Sequence, residues 1–378
     1  MKILFFCKFP PPFTGQTIGT KVIYKMFNQK NVEKINTSQG KISPNNFGIK
    51  YCKYIVTFSC RMVESMFALR ERVSDRGIDT LYIVASPSGL GLLRNMAALL
   101  VARPHVDKIV AHVRNGNYHE IFEDALLQGL AVSLMKRVDK FIFLSEELDD
   151  RAAPFIPSPQ RAVVRNSIDQ AVRCSHDEVV SKTDERANRE SFRVLFLSNM
   201  IRSKGCMDLV RALLRLRDCT DRISLKADFI GDWPNEKLHE EFAQFVDAHG
   251  LGKNIRVHGR VTDRETIRQA YLNADVFVLP TYYPNEAQPR SIIEAMNAGT
   301  PIVATPHASI PEYVIDDHNG YLVSKKAPSD IAGAIRQLTD RSDWKEKAYA
   351  ARETYEEMFS PSAVRESLLS LFEDTAQC

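Results

Sequence analysis

No stretch of this 378-residue chain approaches the roughly 18 uninterrupted apolar residues of a membrane-spanning helix, so the sequence offers no span of that kind. Cysteine is sparse: the seven residues, at 7, 52, 60, 174, 206, 219 and 378, are odd in number and contain no Cys-x-x-Cys, which argues against a disulfide framework or structural zinc. Internal repeats and low-complexity tracts are also missing. The opening run ILFF is short for a signal peptide and meets Pro10, Pro11 and Pro12, so it reads as a first buried strand, and the expected location is the cytoplasm. His112 and His119, seven positions apart with one on an expected strand, make no metal-site spacing, and His119 reads as an ordinary helix-start residue. None of the nucleic-acid recognition motifs is present, so nucleic acid is not an expected partner.

What is present is an ordinary globular composition, 44% apolar and 26% charged, on a chain long enough for two domains. The net charge of +3 hides an asymmetry, because residues 1 to 120 hold ten Lys and seven Arg against seven acidic residues. A field of that sign suits acidic phospholipid or phosphate-bearing substrates, and a solvated surface without a partner is the plain alternative. Between Lys50 and Leu69, Tyr51, Ile55, Phe58, Met62 and Met66 fall near helical spacing with Lys50, Lys53 and Arg61 beside them. That pattern fits an interfacial membrane helix or a helix facing a domain core equally.

Short apolar runs alternate with helical patterns from end to end, the signature of an α/β protein with parallel sheets. ILFF, LYIVA, KIVAHV, KFIFLS and AVVRN form one series; FRVLFLS, LKADFIG, IRVHG, VFVLPT, PIVAT and YLV form a second. Between them DQAVRCSHDEVVSKTDERANRES lacks clear apolar periodicity. The expected organisation is a first doubly wound domain over 1–168, a linker over 169–191, a second doubly wound domain over 192–358, and a separate amphipathic helix within 359–378, with the two domains facing across a cleft.

The most informative stretch is TYYPNEAQPRSIIEAMNAGTPIVAT. DVFVLPT reads as a buried strand; Pro289 pre-sets a helix start, Gly299 stops it, and PIVAT is the next strand. Glu286 then lies in the loop and Glu294 in the second helical turn, both at strand carboxyl ends, where open α/β sheets bind ligands. Paired carboxylate oxygens accept hydrogen bonds from neighbouring hydroxyls, as on a sugar or ribose. Ser291, Glu294 and Ala298 share a small polar helix face, with Ile292, Ile293 and Met296 on the buried side, which favours Glu294 lining a cleft. After the strand VLFLS, the loop SNMIRSKG places Arg202 and Lys204 at a helix start, where two cations and helix amides can converge on a diphosphate; a solvated loop explains them as well. In PPPFTGQT, Gly15 permits close backbone approach to a phosphate, although such loops are often plain turns.

Together, Glu286-x7-Glu294, the Lys204-Gly205 pair, the loop IPEYVIDDHNGYLV and the N-terminal Pro-Gly loop resemble the retaining GT-B glycosyltransferases of family GT4, and the wording EAQPRSIIEAMNAGTPIVAT is similar to members that build bacterial surface polysaccharides. The resemblance covers nearly the whole chain. It implies two Rossmann-like domains, the first on the acceptor side, with the last helix crossing back to the first domain. It implies that Glu286 binds donor-sugar hydroxyls, Glu294 the ribose and Lys204 the diphosphate. Gly15 would pack near the phosphates when the cleft closes, His112 would sit by the anomeric centre, and Gly259 and Arg260 would approach the base. The implied partners are a nucleotide-sugar donor and a saccharide or lipid-diphosphate-linked acceptor; the basic N-terminal third, separately, suits peripheral contact with an anionic membrane at the cytoplasmic face of the inner membrane.

Three positions depart from the family pattern. Asn199 stands where many members have Arg, so Arg202 would supply that charge from a shifted position. The usual Gly-Gly of the first loop is Gly15-Gln16. Pro289 replaces a common Gly and lacks an N–H, leaving the amides of Arg290 and Ser291, and the Arg290 side chain, to serve. Asp-x-Asp occurs nowhere, which fits transfer with no cofactor and no metal, fixed cations and helix amides taking the leaving-group charge. Two readings on the same architecture stay open, a sugar-nucleotide 2-epimerase and a non-catalytic glycosyltransferase-like partner subunit. A dehydrogenase reading of SPSGLGLLR fails at Arg94, where the dinucleotide loop needs a small residue.

Overall fold

The computed structural model describes residues 1–38, 49–75, 77–219 and 224–373. The chain divides into two compact units, one of Met1–Ser167 with the chain from Val364 onward, the other of Ile168–Ala363.

The first unit is built on six parallel strands: β1 (Ile3–Cys7), β2 (Val32–Asn36), β3 (Thr80–Ala85), β4 (Lys108–Val113), β5 (Lys140–Phe143) and β6 (Arg161–Val163), in the order β2-β1-β3-β4-β5-β6. β1, β3 and β4 are buried along their whole length, as expected of strands covered on both faces. After β1, Thr14 caps the helix Gly15–Met26: its Oγ1 accepts from Thr17 N–H at 3.2 Å, and Thr14 N–H donates back to Thr17 Oγ1 at 3.0 Å. The C-terminal helix Pro361–Glu373 returns to this unit as expected. Val364, Leu368 and Phe372 enter the core of Ile3, Phe5 and Phe27, each worth roughly 1.5–3 kcal/mol of burial. Polar contacts fix its register: Arg365 Nε donates to the Met26 carbonyl at 2.9 Å and Lys108 Nζ to the Leu371 carbonyl at 2.5 Å.

The amphipathic stripe near residue 60 falls on the helix Ile49–Asp75. Tyr51, Ile55 and Phe58 are outside the described side chains. Leu69 and Val73 face the core, whereas Val63 and Phe67 are exposed. Among the described residues no helix is long and apolar enough to cross a membrane.

The second unit holds β7 (Ser191–Leu197), β8 (Ser224–Ile230), β9 (Ile255–Gly259), β10 (Val276–Leu279), β11 (Ile302–Ala304) and β12 (Gly320–Leu322), again all parallel, ordered β12-β11-β10-β7-β8-β9. The chain winds outward from β7 through β8 to β9, then returns to β7's other side with β10. The strand order therefore reverses between β7 and β10, and the crevice at their carboxyl ends is the topological switch point.

The expected linker over 169–191 is corrected by the structure. This stretch carries the helix His176–Asn188, opened by a capping box between Ser175 and Glu178, and it packs into the second unit's core through Val172, Cys174 and Val179. Its periodicity is disguised because long polar side chains do part of the packing. Lys182, 6% exposed, donates to the Tyr271 carbonyl at 3.1 Å, the Ala298 carbonyl at 2.9 Å and Thr300 Oγ1 at 2.5 Å. Arg186 lies over the rings of Phe192 and Trp344.

Lys182→Met is expected to strand the buried Ala298 carbonyl at about 1–3 kcal/mol, whereas the Tyr271 carbonyl keeps Thr300 Oγ1 and Ala274 N–H. Burial also pushes the Lys182 ammonium from its ordinary 10.5 down to about 7. Between those values the unfolded chain binds the extra proton, so the stability carried by this group rises as pH climbs from about 7 toward 10 and is lost as pH falls. Thermal unfolding at pH 7 and 9.5 checks both: the variant melts lower and loses this part of the upward slope.

Candidate active site

Because β7 and β10 are neighbours, the loops that follow them meet at the switch point. After β7 the chain turns through Ser198–Ile201 into the short helix Arg202–Lys204, and Gly205 closes it at φ +86° before the helix Cys206–Cys219 begins. Gly205 is required there. A Cβ would lie 2.5 Å from Pro280 Cγ and 2.6 Å from the Pro280 carbonyl oxygen, in a backbone conformation that L side chains resist. Tyr282 N–H donates to the Ser203 carbonyl at 2.7 Å, tying the two loops together.

At this junction Lys204 Nζ pairs with Glu286 Oε2. The carboxylate is 8% exposed and also accepts from Thr281 Oγ1 at 3.2 Å, while the ammonium stands 4.7 Å from the Tyr283 ring centroid. Without a ligand the cation and carboxylate neutralise each other. An incoming phosphate can compete for Lys204 and leave Glu286 free to accept hydroxyl hydrogens. A carboxylate committed to a lysine is an acceptor of hydrogen bonds rather than a poised base.

Glu294 sits in the helix Arg290–Asn297, capped by Pro289 and followed by Gly299 at φ +58°, where a Cβ would lie 2.6 Å from Val179 Cγ1. Here the expected cleft-lining face is corrected. Ile292 through Asn297 are all buried, and Glu294, 5% exposed, is held by Arg264 Nη2 at 2.6 Å and by Tyr271 O–H at 3.1 Å. Arg264 opens the helix Arg264–Asn273 and covers the carboxylate. Arg290 and Ser291, its first two residues, are half-buried.

The remaining residues of the loop edge are spread along the sheet. Asn199 is exposed, and Arg202 pairs with Glu241, a residue of the helix Glu236–Ala248, so the structure does not bring Arg202 to Glu286. Gly259, at φ +65°, closes β9 and accepts from Gly231 N–H at 2.9 Å; Arg260 beside it is 3.9 Å from Asp232. Gly231 lies so close to β7's exit that a Cβ would meet the Ser198 carbonyl oxygen at 1.8 Å. Sequence reasoning missed Thr281, Tyr283, Arg264 and Tyr271. Thr281, ending VFVLPT at a strand's carboxyl edge, was the one with a positional signal.

Gly15 and His112 belong to the other unit. Gly15 is the first residue of its helix, and a Cβ there meets nothing within 4 Å, so the unit itself places no demand for glycine. His112, fully buried in β4, is 2.5 Å from Tyr82 O–H through Nδ1 and 3.5 Å from Arg114 Nη2 at the same atom. Two donors facing Nδ1 make it the acceptor, which puts the proton on Nε2, an atom without a hydrogen-bond partner among the described residues. Burial, then Arg114, holds the imidazole well below its usual range, so it is neutral at physiological pH.

The sheet order, the switch-point loops and full-length likeness to solved structures define the GT-B class. The chain superposes on HepE of Anabaena solved with UDP over 99% of this chain and 100% of that one, with TM-score 0.74 and 18% identity. Residues 180–356 match the family model for glycosyl transferases group 1. The chain is 28% identical over 170 residues to D-inositol 3-phosphate glycosyltransferase of Paenarthrobacter aurescens, 45% of this chain and 41% of that protein. It is 25% identical over 195 residues to WcaL of Escherichia coli, a glycosyltransferase assigned provisionally to colanic acid biosynthesis, covering 50% of this chain and 46% of that one. The chain thus spans less than half the length of the curated relatives it matches first.

Proposed function

We propose that this protein is a retaining glycosyltransferase that moves a sugar from a nucleoside-diphosphate donor to a saccharide or lipid-linked saccharide, in the synthesis of a surface polysaccharide. The observation that carries this reading is the Lys204–Glu286 pair at the β7–β10 switch point, a cation for a leaving diphosphate beside a carboxylate for sugar hydroxyls. The likeness to HepE, whose solved complexes hold UDP and UDP-glucose, and to WcaL supports donor class and pathway type.

In this mechanism Lys204 and the amides opening the following helix take the negative charge that develops on the diphosphate, so transfer proceeds without a metal. Glu286 orients the sugar, and the ribose takes the place of Arg264 on the Glu294 carboxylate, which Tyr271 keeps positioned. The acceptor attacks from the leaving-group face, and a phosphate oxygen receives its proton.

A thermal-shift screen of nucleotide sugars and nucleoside diphosphates, followed by NMR of the product anomer, tests the proposal. It expects stabilisation by one base class and a product with the donor's anomeric configuration. An inverted product, release of an epimerised sugar nucleotide without acceptor, or no nucleotide binding would each overturn it.

A further inference from the structure

The first unit carries three cations at the carboxyl ends of β1, β3 and β4 that no acid among the described residues pairs with. Lys8 directly follows β1, Arg94 lies on the helix Gly89–Ala102 that follows β3, and Arg114 directly follows β4. These strands are adjacent, and β1 and β3 flank this sheet's own switch point. Burial and then Arg94 push the Lys8 ammonium below its usual value, which puts those two groups within electrostatic reach of each other. Both Arg114 and Arg94 oppose the upward push of burial on the thiol of Cys7, the residue before Lys8 at the end of β1. Among the described residues none of the three forms an ion pair.

Neutral groups hold the guanidiniums instead. Asn95, 1% exposed and anchored by its Nδ2 on the Val84 carbonyl at 3.0 Å, accepts from Arg94 Nε at 3.2 Å and Nη2 at 2.8 Å. Arg114 reaches His112, and its buried Nε has no partner. Collecting like charges in a half-buried place is destabilising, and orienting them with neutral acceptors leaves their full charge for something else. An anion with several oxygens satisfies all three.

We infer that Lys8, Arg94 and Arg114 form a binding site for a phosphate or diphosphate group of the acceptor, with Asn95 as the residue that positions Arg94. This rests on the glycosyltransferase reading and specifies its acceptor as anionic. Leu90, Leu93 and Leu100 form an exposed stripe on the helix that bears Arg94, so the same phosphate chemistry could arrive on a soluble sugar phosphate or on a lipid.

Calorimetry on the full chain, with the donor site saturated by the nucleoside diphosphate that the screen selects, separates the sources. The probes are glucose 1-phosphate and, below its micelle concentration, dodecyl phosphate; glucose and dodecyl maltoside are the neutral controls. The expected result is binding of a phosphate probe and not of its control, weakened at least about tenfold by Arg94→Gln or Arg114→Gln. Nucleoside diphosphate affinity stays within twofold, and the melting temperature of Arg94→Gln is equal to or above that of the wild type. Lys8→Gln, at the more open end of the cluster, provides the same comparison if an arginine variant does not fold. Binding of glucose 1-phosphate identifies the soluble source, and binding of dodecyl phosphate alone the lipid source. The inference is overturned if the wild type binds neither phosphate, if binding survives the substitutions, or if nucleoside diphosphate affinity falls in parallel, which would assign these cations to the donor. If the wild type binds no nucleoside diphosphate, the functional reading fails, and the anion site is then decided by the phosphate probes alone.

Discussion

Lys204→Ala is expected to lower the transfer rate by about 10²–10³, the effect of removing one preorganised charge from a developing oxyanion. Affinity for the free nucleoside diphosphate should fall by about tenfold or more, because a charge-assisted contact to the diphosphate is lost whether or not sugar is attached. Stability is expected to fall too, since the substitution leaves the Glu286 carboxylate, 8% exposed, with Thr281 alone among its present side-chain partners. The competing account is that Lys204 serves only to hold Glu286. A cycle with Glu286→Gln separates the two. If Lys204 acts only through Glu286, the double variant matches Glu286→Gln alone and Lys204→Ala binds the nucleoside diphosphate as tightly as wild type. If Lys204 contacts phosphate, its loss weakens that binding in both backgrounds. A Lys204→Ala protein with wild-type rate and affinity would remove Lys204 from the mechanism.

The sequence made the sheet architecture legible because each strand of the buried series is a short apolar run, and the order of runs maps onto the winding of each sheet. It also placed Lys204 and Glu286 at strand ends, although only the reversal of strand order between β7 and β10 brings their loops together across some 80 residues of chain. Three things were hidden, each for a physical reason. The helix His176–Asn188 passed as a linker because Lys182 and Arg186 pack with their aliphatic stems and spend their charges on carbonyls and rings. The enclosure of Glu294 depends on Arg264 from a different helix, a long-range contact that helical periodicity within 290–297 does not encode. Arg202 carries the right charge in the right loop, but its side chain turns to Glu241, and nothing in SNMIRSKG specifies that direction.

Gly205→Ala should produce the largest loss of stability among single-methyl additions in this loop, and a loss of turnover with it. Two costs add. A non-glycine residue at φ +86° costs roughly 1–2 kcal/mol, and the new Cβ would overlap the Pro280 backbone, which cannot rotate away as a flexible side chain would. Either the Arg202–Lys204 turn or the exit of β10 must shift. Both carry the site, because Ser203 accepts from Tyr282 N–H and Lys204 reaches Glu286 across that junction. A total of about 3 kcal/mol corresponds to a drop in melting temperature of roughly 6–12 °C for a unit of this size. Turnover measured well below the transition should still fall at least about tenfold, since a displacement on the order of 1 Å in a positioning group is enough for that. Gly250→Ala is the control. Gly250 has φ +63° but nothing within 4 Å of its Cβ, so it incurs the backbone cost without the overlap and sits away from the loops of the site. It should melt only a few degrees lower and turn over normally. Equal behaviour of the two variants would mean that the contact between Gly205 and Pro280 does not hold the Lys204 loop against β10.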